Sequence, residues 1–209
     1  YPPLVPVAAG EYPIGSDEHY EDERPVHRVR LEPFSMGMLP VTNAEWRLFM
    51  QASGYDDERW WDTKAAKAWR LGEGTAEGPK QQFRENRSIV QKDQGLPQRF
   101  LREGRFTSRE AESWESYARM SDAEFEDLLT SSFPPGRRTQ PANWNDPAFN
   151  HPVVGICWYE ARAYCAWLSA QSGHVVCLPT EAQWEAAARG AKGSLFAWGN
   201  AFDARRCNT

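Results

Sequence analysis

Residues 178–185 read Leu-Pro-Thr-Glu-Ala-Gln-Trp-Glu, and this stretch contains the start of a helix. Thr180 and Gln183 have the spacing of a capping box, in which each side chain binds the backbone N–H of the other residue. The alanine-rich run that follows ends at Arg189. The pattern therefore predicts a helix that begins after Thr180 and places Trp184 in the protein core.

A second helix start lies upstream, where Thr42 and Glu45 form another capping box. The side chains that follow have the i, i+3, i+4 spacing of one apolar helix face: Trp46, Phe49 and Met50. Gly54 stands where a left-handed residue commonly ends a helix. We therefore expect this helix to pack on the core through its aromatic face and to stop at Gly54.

Two further segments have clear periodicity. Residues 158–170 carry apolar side chains at i, i+4 and i+7, which predicts a helix, and Gly173 follows its end. In residues 26–31, Val29 and Leu31 alternate with arginine, the period of a half-buried strand. The two ends of the chain thus predict a mixture of short strands and helices.

Residues 55–140 differ in composition from both ends of the chain, because they are rich in Arg, Glu, Gln, Gly and Ser. The segment is too long for an ordinary loop. Capping boxes at Thr107 and Ser121 predict two short helices within it. We therefore expect an insertion that packs on the main body, with a mobile part at residues 72–98.

The composition is that of a globular protein with an aromatic core. Of 209 residues, 41% are hydrophobic and 25% charged, with 10 Trp, 10 Phe and 7 Tyr. The net charge of −5 argues against a nucleic-acid partner, because phosphate binding requires a basic surface. The sequence has neither a long apolar run nor a visible signal peptide, which predicts a cytoplasmic protein with no membrane partner.

Motifs of common active sites are absent from the sequence. There is no GxSxG nucleophile elbow, and the four histidines lack HxxxH and HExxH spacing, so helical zinc or iron ligation is unsupported. Cys157 and His151 could form a nucleophilic dyad, but a buried structural cysteine beside a loop histidine is the simpler interpretation. The acidic residues 17–23 lack the EF-hand spacing and are typical of a solvated charged loop. The four cysteines allow three complete disulfide pairings, which the sequence does not distinguish.

Ten short blocks occur along the chain in a fixed order. They are Tyr12-Pro-Ile-Gly-Ser-Asp17, Glu23-Arg-Pro-Val-His27, Pro40-Val-Thr-Asn-Ala-Glu-Trp46, Pro141-Ala-Asn-Trp144, His151-Pro-Val-Val154, Trp158-Tyr-Glu-Ala161, Ala163-Tyr-Cys-Ala-Trp167, Leu178-Pro-Thr-Glu-Ala-Gln-Trp-Glu185, Ala187-Ala-Arg-Gly190 and Trp198-Gly-Asn200. In this order they resemble the formylglycine-generating enzyme (sulfatase-modifying factor) domain family. The resemblance implies an α+β, C-type-lectin-like fold with short twisted antiparallel strands, two main helices and long loops. It also implies that residues 1–209 form a single domain, incomplete at its C-terminus, with an insertion at about residues 55–140.

The resemblance places most of the family's functional residues outside this chain. In the family's enzymes the catalytic cysteine pair that binds copper lies downstream of the Trp-Gly-Asn block, so no catalytic residue is assigned here. The family's structural calcium is held partly by residues that match Asn208 and Thr209, which are the candidate metal ligands. Cys165 matches a position that forms a disulfide in some members with a partner further downstream. Cys177 replaces the usual arginine before Leu-Pro-Thr-Glu.

The resemblance leads to two main functional hypotheses. The first is a non-catalytic ligand-binding or display scaffold, as in the variable proteins of diversity-generating retroelements. Its partner would be a protein or other ligand, bound through C-terminal loops that are not in this chain. The alternative is an aerobic formylglycine-generating enzyme that oxidises a sulfatase cysteine to formylglycine with copper and oxygen. An ergothioneine-synthase-like enzyme with non-haem iron ranks last, because its histidine ligands come from a separate helical domain.

Overall fold

A computed structural model describes residues 3–17, 20–142, 144 and 149–207 of the chain. Within these ranges the chain forms four short β-strands and eight α-helices, which confirms the α+β class. The strands are β1 (Leu4–Val7), β2 (Gly10–Ile14), β3 (His27–Leu31) and β4 (Phe34–Gly37). The helices are α1 (Asn43–Gln51), α2 (Lys64–Arg70), α3 (Glu77–Lys92), α4 (Leu96–Arg102), α5 (Ser108–Arg119), α6 (Asp122–Ser132), α7 (Trp158–Ser172) and α8 (Glu181–Arg189). Among these described helices, none combines the length and apolar character needed to cross a bilayer.

The elements separate into two compact units. Unit 1 consists of Tyr1–Gly54 and Pro141–Thr209, so the two ends of the chain fold together and contribute β1 to β4, α1, α7 and α8. Unit 2 consists of Tyr55–Gln140 and contains α2 to α6. Each unit buries its own aromatic side chains, for example Trp46 in unit 1 and Trp61 in unit 2.

Unit 1 begins with two antiparallel ribbons, in which β1 pairs with β4 and β2 pairs with β3. Tyr12 of β2 is buried together with Ala186 of α8 in one apolar cluster. Val29 and Leu31 of β3 pack against this cluster, while Arg28 and Arg30, which alternate with them, are exposed. The alternation in residues 26–31 therefore predicted both the strand and its buried face.

An aromatic cluster between α1 and α7 forms another part of the unit 1 core. The capping box at the start of α1 is present, because the Thr42 N–H donates to Glu45 Oε2 at 2.8 Å and the Glu45 N–H donates to Thr42 Oγ1 at 3.3 Å. Trp46 and Phe49 are fully buried on the predicted face. The ring of Trp46 stacks on Tyr164 of α7, with centroids 5.0 Å apart. Burial and stacking of these wide rings stabilise the contact between the two helices.

Gly54 has a different role from the one its position suggests. The left-handed residue after α1 is Ser53, with a φ of 58°. A side chain at Gly54 would overlap the ring of Phe49, and the Gly54 N–H donates to the Phe49 carbonyl at 2.9 Å. The prediction of a left-handed cap at Gly54 is therefore wrong. Glycine is required here because a buried ring packs directly against its backbone.

The boundaries of α7 and α8 follow the sequence signals closely. Helix α7 begins at the predicted residue, Trp158, and Gly173 adopts the left-handed conformation after it, with a φ of 71°. At the start of α8, the Thr180 N–H donates to Gln183 Oε1 at 2.9 Å and the Gln183 N–H donates to Thr180 Oγ1 at 3.2 Å. The capping box quoted from the sequence is thus formed.

Unit 2 contains more helix than the sequence signals predicted. Capping boxes at Thr107 and Ser121 start α5 and α6, as expected. Helices α2, α3 and α4 precede them in the chain, so the prediction of only two short helices is wrong. Helix α3 follows Ala76 and α4 follows Gly95, and neither residue makes a side-chain cap. These two helices therefore begin without the capping box that predicted α5 and α6.

The stretch at residues 72–98, which we expected to be mobile, contains α3 and packs within unit 2. The ring of Phe83 lies 5.3 Å from Trp114 of α5 and 5.0 Å from Phe133, measured between ring centroids. Since Phe83 contacts rings from two other parts of unit 2, α3 is part of the packing of this unit. The expectation of mobility is therefore wrong for this segment.

A buried arginine adds polar bonds between α3 and the helices α5 and α6. Arg87 of α3 is 8% exposed and donates to the Tyr117 carbonyl at 2.9 Å and to Asp122 Oδ1 at 2.7 Å. Its guanidinium also lies 4.7 Å from the centroid of the Phe125 ring. These partners belong to α5 and α6, so one side chain connects α3 to both helices.

Candidate ligand-binding cleft

An open cleft in unit 1 lies between the segment that joins β2 to β3 and helix α8. Its volume is ≈790 Å³, within the range of about 300–1,000 Å³ typical of ligand pockets. Asp22, Glu23 and Arg24 line one side of it, and Glu181, Trp184 and Leu195 line the other. We call this feature the β2–α8 cleft.

A largely buried ion pair of α8 forms part of the cleft lining. Arg189 pairs with Glu185, one helical turn earlier in α8, and their side chains are only 20% and 16% exposed. The guanidinium also donates to three carbonyl oxygens, those of Gly15 (2.8 Å), Gly193 (3.0 Å) and Ser194 (3.0 Å). These bonds tie α8 to the end of β2 and to the loop after α8, and all three parts contribute residues to the cleft lining.

Gly15 connects β2 to this ion pair through its backbone. Its N–H donates to Glu185 Oε1 at 2.9 Å, and its carbonyl accepts the bond from Arg189. The φ of Gly15 is +88°, and a Cβ at this position would overlap the carbonyl oxygen of Glu23. Both the backbone conformation and the close approach therefore require glycine.

Trp184 lines the cleft from α8 and is 64% exposed. The prediction that Trp184 lies in the core is therefore wrong. Helix α8 instead buries Ala186 in the cluster with Tyr12 and Ile14, and residues two apart lie on different faces of a helix. The indole of Trp184 is consequently available to a ligand in the cleft.

The exposed charge of the cleft is mainly acidic. Asp22, Glu23 and Glu181 all line it and are exposed. The charge of Arg189 in the lining is balanced by Glu185, whereas Arg24 is exposed and keeps its charge while it donates to the Asp17 carbonyl at 2.8 Å. The carboxylates of the lining therefore outnumber its arginines. An accessible indole beside exposed carboxylates is a suitable environment for a cationic group.

Comparison with known proteins identifies the family. A family model described as the sulfatase-modifying factor enzyme 1-like domain matches residues 1–209. The chain belongs to this family. The resemblance seen in the sequence motifs is thereby confirmed.

The relatives of this sulfatase-modifying factor domain differ in the activity that they are named for. A Mus musculus protein named inactive C-alpha-formylglycine-generating enzyme 2 is 28% identical over 99% of this chain and 54% of its own length. A hercynine oxygenase of Mycolicibacterium smegmatis is 28% identical over 94% of this chain and 35% of its own length. A formylglycine-generating enzyme of Mycobacterium tuberculosis is 28% identical over 94% of this chain and 54% of its own length. The chain thus spans about half, or less, of the length of these relatives.

The structure favours the structural interpretation of Cys157. The residue precedes α7, and its N–H donates to Glu160 Oε2 at 2.7 Å. Burial raises the pKa of the Cys157 thiol to about 11, so the thiol is protonated at neutral pH and is a poor nucleophile. The His151 side chain is exposed, and its backbone carbonyl accepts a bond from the Asn43 N–H at 2.9 Å. The sulfatase-modifying factor domain therefore shows no activated thiol at this position.

The candidate calcium ligands Asn208 and Thr209 lie outside the described residues. The assignment of calcium to them therefore stays a prediction. Within the described ranges, no group of three or more His, Cys, Asp or Glu side chains is arranged to hold a metal ion.

Cys157 and Cys165 do not suit the copper chemistry of the family's enzymes. Eight residues separate them along α7, which corresponds to a rise of about 12 Å, too far for two thiolates to share one ion. Cys157 itself precedes the first residue of α7, so the two thiols start from opposite ends of this separation. These two cysteines therefore do not form a dithiolate copper site.

The β2–α8 cleft itself was missed by the sequence analysis. Gly15 and Glu185, which form its supporting contact, are 170 positions apart, and no local pattern connects them. The available signals were the glycine of the Tyr-Pro-Ile-Gly-Ser-Asp block and the Glu and Arg of α8 at i, i+4 spacing. Read separately, each is a common feature of turns or helices.

Proposed function

We propose that this sulfatase-modifying factor domain is a non-catalytic ligand-binding domain, and that its ligand occupies the β2–α8 cleft. The observation that supports this most directly is the exposed indole of Trp184 in a cleft of ≈790 Å³. Large exposed aromatic side chains in concave sites are typical of binding surfaces. The exposed carboxylates of Asp22, Glu23 and Glu181 indicate the ligand class, a peptide segment with a cationic side chain.

The contacts of the Glu185–Arg189 ion pair favour a binding site that is formed before the ligand binds. The ion pair of Glu185 and Arg189 is linked by hydrogen bonds to Gly15 and to the loop after α8. A site whose shape is already held loses less conformational entropy when a ligand binds. The bonds of Arg189 therefore reduce the ordering that α8 and the loop after it undergo when a ligand binds.

One relative carries a name that agrees with a non-catalytic role. The Mus musculus protein is named an inactive formylglycine-generating enzyme, and the similarity extends over 99% of this chain. The display role of diversity-generating retroelement proteins is a different non-catalytic role, in which C-terminal loops hold the ligand and the β2–α8 cleft does not. Probe binding that depends on Trp184 favours the cleft over that display role.

The binding proposal is tested with a tetra-arginine peptide as the probe and a tetraglutamate peptide as its charge control, using isothermal titration calorimetry. We expect the arginine peptide to bind and the glutamate peptide not to bind. Replacing Trp184→Ala should raise the Kd at least about tenfold, equivalent to about 1.4 kcal/mol. Trp158→Ala is the matched control, because Trp158 is also an exposed tryptophan but lies outside the cleft lining. Binding that Trp184→Ala leaves unchanged would contradict the proposal.

An aerobic formylglycine-generating activity is the alternative function, since relatives with that name cover 94% of the chain. The experiment incubates the chain with Cu(I), oxygen and a cysteine-containing peptide, and aldehyde is detected by mass spectrometry after hydrazine labelling. On the non-catalytic proposal, no aldehyde forms above the level without protein. Repeated turnover of the peptide would replace that proposal with the catalytic one.

A further inference from the structure

Two cysteines of unit 1 lie on either side of the connection between α7 and α8. Cys165 is half-buried in α7, and Cys177 is exposed in the connection that follows this helix. Both thiols are free in this structure. Neither residue lines the β2–α8 cleft, so they are independent of the proposed ligand site.

Ser169 holds the connection against α7 next to Cys165. Its hydroxyl lies 2.8 Å from the Cys165 carbonyl oxygen and 3.0 Å from the Val176 carbonyl oxygen, two acceptors for its one proton. The same Oγ accepts the Val176 N–H at 2.9 Å. The backbone of Val176 is therefore fixed beside the turn of α7 that contains Ser169.

This attachment places Cys177 near Cys165. Residues at i and i+4 lie on the same face of a helix, one turn apart, so Cys165 and Ser169 share one face of α7. Cys177 follows Val176 directly, and Val176 is bonded to that face. The pKa of Cys165 supports the proximity, because a charged Cys177 raises it in addition to the larger effect of burial.

We propose that Cys165 and Cys177 form an intramolecular disulfide when the protein meets a disulfide oxidant of the oxidised-glutathione type. The thiolate of the exposed Cys177 attacks the glutathione disulfide and releases one glutathione thiolate. The thiolate of Cys165 then attacks the Cys177 sulfur and releases the second. The two protein thiols lose two protons and two electrons, and one glutathione disulfide becomes two glutathione molecules.

This pairing differs from the one that the family resemblance implies. The resemblance gives Cys165 a partner further downstream, whereas Cys177 stands where the family usually has arginine. A disulfide between them closes a loop over residues 166–176 and fixes the segment from which α8 starts. Closing a loop of this kind stabilises a protein mainly by restricting its unfolded chain.

Peptide mapping tests the pairing directly, because complete trypsin cleavage leaves the two proposed partners on one peptide and puts the other two cysteines on separate peptides. Cys165 and Cys177 fall together on the peptide of residues 163–189, Cys157 falls on residues 139–162, and Cys207 falls on residues 207–209. After treatment with oxidised glutathione, peptide 163–189 should lose about 2 Da, the mass of two hydrogens, and regain it on reduction. The oxidised protein should also show a higher Tm than the reduced protein.

Single replacements provide the controls. Cys165→Ser should abolish the internal loss of mass and leave Cys177 as a glutathione adduct, whereas Cys157→Ser should oxidise like the unchanged chain. Closure should accelerate between about pH 7 and pH 9, because a larger fraction of Cys165 is then thiolate. Separate glutathione adducts on Cys165 and Cys177, or a disulfide from either of them to Cys207, would overturn the pairing. These outcomes do not depend on ligand binding, so they leave the proposed function untouched.

Discussion

At the scale of single residues, the tryptophans show how neighbours determine the role of a side chain. Trp46 and Trp184 are each the fourth residue of a capped helix, and each is followed by one charged residue and then by three apolar residues. Trp46 is 1% exposed and stacks on Tyr164, whereas Trp184 is 64% exposed and lines the β2–α8 cleft. The same residue type therefore contributes to stability in one helix and to a binding surface in the other.

Replacing the two tryptophans should separate these roles. Trp46→Ala should lower the free energy of unfolding by about 3–5 kcal/mol, because it leaves a cavity beside Tyr164 and Phe49. Trp184→Ala should lower it by about 1 kcal/mol or less, as for most exposed positions. Urea denaturation of both variants measures the difference. Equal losses would show that the indole of Trp184 is buried in solution.

Gly15 offers a second residue-scale prediction. Gly15→Ala forces a side chain into a left-handed backbone, which costs about 1–2 kcal/mol, and adds an overlap with the Glu23 carbonyl. Gly74→Ala is the matched control, because Gly74 also has a positive φ, 72°, but has open space around it. Gly15→Ala should therefore lower the Tm clearly more than Gly74→Ala. Similar Tm values would contradict the close approach between Gly15 and Glu23.

At the scale of elements, local signals predicted the helix starts, and their absence explains the errors. The capping boxes at Thr42, Thr107, Ser121 and Thr180 all start helices, because a cap depends on residues only three positions apart. Helix α3 has no side-chain cap at its start, and it is held by contacts with α5 and α6. Contacts of that kind join distant parts of the chain and leave no local pattern.

The cap of α8 should be measurable by itself. Thr180→Ala removes the hydroxyl that accepts the Gln183 N–H and should reduce the free energy of unfolding by about 1 kcal/mol. Thr180→Ser keeps the acceptor and should restore most of the loss. Urea midpoints of the three proteins test this ranking. If serine fails to restore stability, the methyl group rather than the hydrogen bond matters at this position.

At the scale of the whole molecule, the candidate site forms where residues far apart in the sequence meet. No local sequence pattern predicts that contact. The order of the ten sequence blocks resembled that of the family, and this resemblance implied the α+β class. The cleft instead requires Gly15 to meet Glu185 and Arg189, and the first two are 170 positions apart. The local signals that located strands and helices do not report such a pairing. The exposed side of α8 was therefore assigned to the core.

Deleting residues 72–98 tests the role of α3 in unit 2. The deletion removes Phe83 from between Trp114 and Phe133 and removes Arg87 from its partners in α5 and α6. Limited trypsin digestion should then cleave rapidly at the arginines of residues 99–138, which lie in or beside α4 to α6. The apolar and aromatic clusters described for unit 1 use residues of that unit alone, so peptides from α7 and α8 should stay protected. Protection of residues 99–138 equal to that in the complete chain would show that α3 is dispensable to the packing of unit 2.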